Sequence, residues 1–231
     1  CDIPPDVYGL TADPALVSRV PVVMLANTVI AQRPAWGQVH TAQGIVQRRP
    51  IALGETLTMH GSITGFEPHA RGEIVRSAWL YHDAAGECIF EVHPQALLMD
   101  PRIAPPGGGP AKTTRDDAGY CAVLRKVITP AANLGYSEGT YNPVHLDPDA
   151  ARALGFRAPI IAGTHTMNFL FEAMWRVHTP QSFAATIRFR RPVFWDDVLD
   201  IEARATGDAR WQLRALDGEG RCVADCDFVV A

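Results

Sequence analysis

One short stretch of the sequence combines the residue types that proton transfer needs. Residues 139–156 read GTYNPVHLDPDAARALGF, and they include Asn142-Pro143-Val144-His145. Proline fixes its own backbone angle and restricts the residue before it, so His145 is expected in a tight turn. Imidazole takes up and releases protons close to neutral pH, which makes His145 a candidate general acid or base. It needs a neighbour that orients it or shares the proton.

The segments after this turn would position a second chemical group. Asp147-Pro148 suits a helix start, because aspartate caps helices and proline fits their first position, so we interpret Asp147 as structural. Gly163 opens GTHTMNFLFEAMWR, whose apolar residues recur at helical spacing and crowd most of the circumference. The first amides of a helix have no partner within it. The Gly163 N–H is therefore a candidate donor to a developing negative charge, and glycine allows close approach.

The sequence also contains an internal repeat. RRPIALGETLTM begins at Arg48, and RRPVFWDDVLDI begins at Arg190, an offset of 142 residues. Counting 27 residues back from each Arg-Arg pair reaches Pro21, which opens PVVMLANTVIAQ, and Gly163. DAAGEC from residue 83 matches DGEGRC from residue 217 at an offset of 134, and each is typical of a turn between strands. Three anchors in one order indicate a duplication, with eight extra residues between the strands of the first copy.

Each unit is predicted to be one apolar helix followed by three or four long strands. A helix that is apolar nearly all round must be buried, and a curved antiparallel sheet could wrap it. We predict an N-terminal unit over residues 1–100, a surface linker over 101–119 and a C-terminal unit over 120–231. The linker lies in DPRIAPPGGGPAKTTRDDAG, residues 100–119, which is rich in proline, glycine and charge.

Composition excludes several classes of function. The 231 residues are 47% hydrophobic and 20% charged, as in ordinary soluble proteins, and suffice for one large or two small domains. A net charge of -4 gives no electrostatic case for nucleic acid or an anionic membrane. No apolar run approaches the roughly 20 residues that a membrane span requires. We therefore expect a cytoplasmic protein.

The cysteines indicate neither a disulfide framework nor a metal site. They are odd in number and scattered, at Cys1, Cys88, Cys121, Cys222 and Cys226. The last two are four residues apart in an expected strand, so we interpret them as reduced core thiols. A chain that begins at Cys1 rather than Met favours a trimmed chain over a lipidated N-terminus. We also find no zinc spacing, P-loop, GxGxxG motif or serine nucleophile elbow.

The stretch around His145 resembles the signature of the MaoC-like, or R-specific enoyl-CoA hydratase (hydratase 2), family. That signature runs Tyr, a few residues, Ser-Gly-Asp-x-Asn-Pro-x-His-x-Asp-Pro, and residues 136–148 here read YSEGTYNPVHLDP. The following ARALGFRAPIIAGTHTM resembles the family's run into its central helix. A duplicated unit of helix and antiparallel sheet likewise resembles the α+β double hot-dog fold, over nearly the whole chain.

The resemblance implies hydration of a 2-enoyl thioester or the reverse dehydration. His145 would then be the general acid or base, the Gly163 N–H would be the oxyanion donor, and Asn142 would shape the turn or touch the water. It further implies substrate contacts from Tyr136, Tyr141 and Thr164. The substrate would be an acyl-CoA or an acyl-carrier-protein thioester, with no cofactor and no metal.

The sequence departs from the family at one position. The family's catalytic aspartate precedes the asparagine by two residues, where this chain has Thr140. A threonine hydroxyl cannot act as a base near neutral pH. Glu138 and His165 are possible auxiliary groups, against the simpler interpretations of an exposed loop carboxylate and a packed histidine. His145 with Thr140 alone could still catalyse an easier reaction, such as dehydration of an activated 3-hydroxyacyl group.

Other residues support alternatives. Glu172 on the predicted helix could serve a thioesterase, but its spacing to Arg176 is typical of an ion pair. The position in the first unit equivalent to His145 is Ile3, so one active site per chain is expected, with the first unit supplying a paired sheet and a widened acyl pocket. Three hypotheses follow: a hydratase or dehydratase, a related enzyme with redirected chemistry (cyclisation, isomerisation or thioester hydrolysis), and a non-catalytic acyl-binding homologue. A monomer or a homodimer would fit all three.

Overall fold

The computed structural model describes residues 3–4, 6–30, 32, 37–103, 116–140 and 142–231. Within these residues the α-helices are α1 (Pro14–Val17), α2 (Arg19–Leu25), α3 (Pro130–Ser137), α4 (Pro148–Ala153) and α5 (Gly163–Val177). A π-helical turn spans Ala26–Ile30, and a 3-10 turn spans Pro143–His145. The strands are β1 (Gly37–Gln47), β2 (Thr58–His69), β3 (Gly72–His82), β4 (Cys88–Met99), β5 (Cys121–Val127), β6 (Phe183–Phe189), β7 (Val198–Gly207), β8 (Arg210–Leu216) and β9 (Cys222–Val230).

These strands form one antiparallel sheet within the described part of the chain. Their order is β2-β3-β4-β1-β6-β9-β8-β7-β5, so the first four strands of the chain occupy one end and the others occupy the second. The two halves of the sheet meet where β1 pairs with β6, from Ala42 opposite Arg188 to Gln47 opposite Phe183. The predicted pair of sheet units is therefore one continuous sheet.

Hydrogen bonds at equivalent positions show that the sequence repeat is a structural repeat. Arg48 N–H donates to Ile89 at 2.9 Å, and Arg190 N–H donates to Val223 at 2.8 Å. The turns at residues 83 and 217 match in the same way, each closed by a backbone bond of 3.0 Å to the residue four positions later. The extra residues of the first copy lengthen one hairpin, since β2 and β3 have 12 and 11 residues where β7 and β8 have 10 and 7.

Helix α5 is the central helix of the C-terminal unit. It begins at Gly163, as the sequence predicted, and every residue from Thr164 to Trp175 is buried. Phe171 and Trp175 on this helix pack against Phe183 and Phe228 on the sheet, with ring centroids 5.7 to 6.4 Å apart. Edge-to-face packing of this kind holds the helix and its first turn in place.

The helix of the N-terminal unit differs from the prediction. It begins at Arg19 rather than Pro21, has seven residues, and continues as the π-helical turn. Val20 and Met24 are 45% and 41% exposed, so the expectation of a helix buried nearly all round is wrong for this unit. The reason is that α2 lies on the sheet along one side, where Leu25 packs against Val75, Ala96 and Leu98, with its opposite side exposed.

Residues 104–115 of the predicted linker lie outside the described residues. On its C-terminal side Asp116 pairs with Arg204 on β7, and β5 begins at Cys121. Among the described residues, no helix is long and apolar enough to cross a membrane.

Candidate active site

The turn that carries His145 is built as its sequence predicts. Asn142 has an extended backbone (φ −148°), as the residue before a proline prefers, and Pro143 opens the 3-10 turn. Asp147 then accepts hydrogen bonds from the N–H groups of Asp149 and Ala150, so the predicted cap of α4 is confirmed. The turn is thereby fixed on both sides, with the His145 side chain 6% exposed.

Hydrogen bonds determine the tautomer of His145. Its Nδ1 lies 2.9 Å from the Ile160 carbonyl oxygen, which can only accept, so Nδ1 carries the hydrogen. Nε2 then has a free lone pair, which accepts from the Asn142 Nδ2–H at 2.9 Å. Burial lowers the pKa of His145 to about 4. The imidazole is therefore neutral at pH 7, in the tautomer that can accept a proton at Nε2.

Asn142 joins the two halves of the chain at this site. Its Nδ2 donates to the Gln38 carbonyl at 2.9 Å, and its Oδ1 accepts from the Gln38 N–H at 3.3 Å. These backbone groups on β1 are free to bond a side chain because β1 pairs with β6 only from Ala42 onward. Asn142 thus links β1 of the N-terminal half to the ring of His145.

The first turn of α5 contributes an unpaired amide and a close contact. The N-cap residue, Ala162, makes no side-chain cap, and within the described residues the Gly163 N–H has no hydrogen-bond partner. A Cβ at Gly163 would lie 2.7 Å from the Cβ of His40 and 3.0 Å from its Nδ1. Real Cβ atoms do not come so close, so this position requires glycine.

Two small cavities meet at His145. They have volumes of about 20 and 30 Å³, enough for a water molecule each. Both are lined by His40, His145 and Gly163, and the first is also lined by Thr140, Asn142 and Thr164. A larger cavity of about 580 Å³ lies on the other side of Arg19, next to Tyr8, Asp13, Tyr136 and Asn168.

The position of the family's aspartate is neutral and lies next to a cation. Thr140 Oγ1 accepts a 3.3 Å hydrogen bond from Arg19, whose guanidinium also donates to the Tyr136 carbonyl at 2.6 Å. Among the described residues no carboxylate lines either small cavity. The first cavity therefore has a guanidinium and a hydroxyl in its lining but no carboxylate among the described residues.

The other predicted site residues fall into three groups. Thr164 is buried and lines the first cavity. Tyr136 lies at the larger cavity instead, where its hydroxyl donates to Asn168 at 2.9 Å, and the His165 ring stacks on it at 4.2 Å without lining either small cavity. Tyr141 lies outside the described residues.

Glu138 is not brought to the site. Helix α3 ends at Ser137, so Glu138 is its C-cap residue and is exposed to solvent. The structure therefore gives no support to Glu138 as an auxiliary group of His145. The His165 ring contacts Tyr136 and Phe169 and lines neither small cavity, which favours the packed histidine over the auxiliary group.

Glu172 forms two ion pairs. It is 1% exposed and contacts Arg176 at 2.7 Å, as its spacing predicted, and Lys126 on β5 at 2.6 Å. Its surroundings are those of a buried ion-pair group on α5 and not of a thioesterase base at the His145 cavity. Three of the four repeated arginines form ion pairs: Arg48 pairs with Glu91, Arg49 with Glu55 and Asp83, and Arg190 with Asp225.

Sequence reasoning missed the side chains that the N-terminal half contributes. His40 and Arg19 line the cavity of His145, although that half has no copy of the His145 motif. A bulge in β1 between His40 and Ala42 reverses which side chains face inward, so His40 is buried together with Gln43, Ile45 and Gln47. Strand alternation alone would place His40 on the opposite face.

Comparison with known proteins agrees with this architecture. Residues 113–224 match the model of the MaoC like domain family. A curated relative, "3-hydroxyacyl-thioester dehydratase X" of Mycobacterium tuberculosis, is 29% identical over 185 residues, which cover 78% of this chain and 63% of that protein. The match thus spans less than two thirds of the relative's length. Within the C-terminal half, residues 113–224 are thus similar to the MaoC like domain family.

Solved structures extend the likeness to the whole chain at the level of fold. The crystal structure of HtdX from Mycobacterium tuberculosis has a TM-score of 0.76 and 21% identity, covering 97% of this chain and 90% of HtdX. Another Mycobacterium tuberculosis protein, described as having a double hotdog fold, has a TM-score of 0.62 and 18% identity, covering 95% and 82%. The predicted α+β double hot-dog fold is confirmed.

Proposed function

We propose that the protein is a hydratase or dehydratase of acyl thioesters, interconverting 2-enoyl and 3-hydroxyacyl groups. One observation carries the proposal. His145, whose Nε2 can accept a proton, and Gly163, whose N–H is unpaired among the described residues, line one cavity that has room for a water molecule. Hydration of an activated double bond requires such a base and such a donor.

The proposed reaction uses His145 for both proton transfers. A water displaces the Asn142 amide from Nε2, its oxygen bonds to C3, and one of its protons passes to Nε2. The electrons of the double bond move onto the thioester oxygen, where the Gly163 N–H stabilises the charge. The proton on Nε2 then passes to C2 and restores the thioester. Dehydration follows the same steps in reverse.

The substrate arm is coenzyme A or a carrier protein, and the reaction needs no metal or cofactor. The water-sized cavities cannot hold an acyl chain, whereas the larger cavity beyond Arg19 is within the size range of ligand pockets. Displacement of Arg19, which lines both regions, would join them. The proposed setting is the cytoplasm, and the protein acts as a monomer or a homodimer.

The decisive experiment measures hydration of crotonyl-CoA and of longer trans-2-enoyl-CoA thioesters. We expect conversion by the wild type, and a loss of about 10²- to 10⁴-fold in kcat/KM for His145→Ala and His145→Gln. His93→Ala, an exposed histidine on β4, is the control and should keep wild-type activity. Equal rates for wild type and both His145 variants would sink the mechanism.

A second candidate keeps the fold and the pocket but redirects the chemistry. The hydroxyl of Thr140 and the guanidinium of Arg19, in place of a carboxylate, favour it. Product analysis separates the candidates, since thioester hydrolysis releases a free thiol, isomerisation or cyclisation keeps the mass of the substrate, and hydration adds one water. Binding of an acyl thioester without any conversion would indicate the non-catalytic homologue instead.

A further inference from the structure

His40 is a buried histidine of the N-terminal half whose ring makes only a loose contact with the Ala42 backbone. The residue is 7% exposed, and within the described residues neither Nδ1 nor Nε2 makes a hydrogen bond of ordinary geometry. Buried polar side chains nearly always have partners, and exceptions in native proteins call for a functional explanation. Burial lowers the pKa of His40 to about 3, so the ring is neutral and carries one N–H and one lone pair.

The ring is fixed in position at the site. It packs on Phe189 with centroids 4.7 Å apart, and its Cβ and Nδ1 lie against Gly163 at the start of α5. It lines both water-sized cavities, and the other residues common to the two are His145 and Gly163. The ring nitrogens are therefore held beside the cavities that the proposed reaction uses.

The backbone of β1 is shaped to aim this side chain. The bulge between His40 and Ala42 lies where pairing with β6 stops, so the strand leaves the sheet of the other half at this point. Bulges are common next to active sites, where they redirect a side chain. Two residues earlier, the backbone of Gln38 holds Asn142. One segment of β1 thus contacts the catalytic turn at Asn142 and the cavity through His40.

We propose that His40 is a second catalytic residue. It takes the role of the aspartate carboxylate for which this chain has Thr140. The inference rests on the proposed hydratase function. The lone pair of His40 accepts one hydrogen of the reacting water while His145 accepts the other, so the water oxygen points towards C3. The proton taken by His145 passes to C2. The hydrogen bonded to His40 stays on the oxygen and becomes that of the product hydroxyl.

Two substitutions of His40 and one matched control test this role. His40→Phe keeps a ring against Phe189 but removes both nitrogens, whereas His40→Gln keeps a polar group. His165→Phe is the control, because His165 is also buried and ring-stacked but does not line the cavities. We expect His40→Phe to lower kcat for crotonyl-CoA hydration at least about 10²-fold with KM nearly unchanged, and His40→Gln to lower it about tenfold. His165→Phe should stay within about threefold of wild type.

Coupling to His145 distinguishes this role from packing. If both histidines hold one water, the double variant His40→Phe/His145→Ala should be no slower than His145→Ala alone. NMR of ¹⁵N-labelled imidazoles reads the shared water in the complex with butyryl-CoA, a saturated thioester that cannot be hydrated. The His145 Nε2 resonance of this complex should shift in His40→Phe but not in His165→Phe. Circular dichroism verifies that each variant is folded.

The outcomes separate this inference from the proposed function. An active wild type with His40→Phe within threefold of it overturns the role of His40 and leaves the hydratase in place. A wild type that converts no enoyl thioester overturns the proposed function, and the NMR comparison then decides about His40. An unchanged His145 resonance in His40→Phe overturns the inference whatever the activity.

Discussion

Pro21 and Gly163 occupy equivalent places in the two repeats, 142 residues apart, but only Gly163 begins a helix, since α2 begins two residues before Pro21. Gly163 lines the cavity and its N–H has no partner among the described residues, whereas proline has no N–H to donate. The first helix is seven residues long and exposed along one side, and the second is buried from Thr164 to Trp175. The two halves share one arrangement of strands, but only the C-terminal half has the candidate site, because that site depends on the first turn of α5.

Exchanging these two residues for alanine should break the comparison most clearly. Gly163→Ala places a methyl group against His40, so that ring or the helix start must move. We expect kcat/KM for enoyl thioester hydration to fall at least about 10²-fold, as small displacements at reacting groups do. Pro21→Ala is the control and should stay within about threefold. Comparable losses in both variants would show that the helix start of the C-terminal half has no special role.

The two central helices also differ in buried charge. Glu172→Gln removes a buried carboxylate that pairs with Lys126 and with the partly exposed Arg176, and we expect the free energy of unfolding to fall by about 1–3 kcal/mol. Activity per folded molecule should remain, because Glu172 does not line the cavity of His145. Urea unfolding and thioester assays check the two statements. A stable but inactive variant would instead support the thioesterase alternative.

Asn142 tests how strongly one half depends on the other. Asn142→Ala removes hydrogen bonds to the Gln38 backbone and to His145 Nε2, leaving buried groups unpaired. We expect a loss of roughly 2–4 kcal/mol in the free energy of unfolding together with a loss of activity. Ser77→Ala removes a buried hydroxyl that accepts from Trp79 Nε1 at 2.9 Å and lines none of these cavities, so it is a control for stability alone. Equal unfolding curves for Asn142→Ala and wild type would contradict a structural link between the halves.

Stability should decrease at low pH because of the buried histidines near this junction. Burial lowers the pKa of His40 and His165 to about 3 and that of His145 to about 4. Below the usual histidine pKa of about 6.5 the unfolded chain binds more protons than the folded one, so stability falls by about 1.4 kcal/mol per pH unit for each histidine down to those values.

Asp13 opposes this trend, since burial raises its pKa to about 6 and the folded state then binds the extra proton between about pH 6 and its usual value near 4. Urea unfolding from pH 7 to pH 5 measures the net change in the free energy of unfolding that the three histidines and Asp13 produce together. His165→Phe should flatten the decline by about a third of the histidine contribution. Phe169→Leu, which adds no titrating group, should lower the whole curve without changing its slope. If the free energy of unfolding changed with pH equally in wild type and His165→Phe, the lowered pKa of His165 would be refuted.

The smallest expected effect concerns a feature that the halves share. Asp83 Oδ1 accepts from the N–H groups of Ala85 and Glu87, and Asp217 Oδ1 accepts from those of Glu219 and Arg221. Asp83→Ala and Asp217→Ala should each lower Tm by about 2–4 °C, and by similar amounts. Calorimetry measures both. A clearly larger effect at one turn would limit the structural equivalence of the repeats to their backbones.

The sequence predicted the features that depend on local chemistry. The cap at Asp147, the start of α5 at Gly163 and the paired turns at Asp83 and Asp217 each follow from residues close together in the chain. The repeat then predicted the duplicated unit. In contrast, the seven-residue α2 with its exposed side depends on how far the sheet of the first half extends over it, which no local pattern records.

The candidate site was predictable on one side only. The motif placed His145, Asn142 and Gly163 together, but His40 and Arg19 enter from elements more than 100 residues away. A single-residue bulge decides that His40 faces the cavity, and alternation along a strand cannot reveal a bulge. Glu138 shows the reverse case, since it is near in sequence and yet points to solvent where α3 ends.

Having both units in one chain allows an asymmetry that two identical subunits could not have. At the repeat offset of 142 residues, the position equivalent to His40 is Ser182, just before β6. In a dimer of a single gene product, any change at one of these positions would appear at the other as well, because both copies share one sequence. Once the units are fused, each position can mutate alone. The N-terminal unit could then lose its own catalytic turn and evolve into an accessory to its neighbour's.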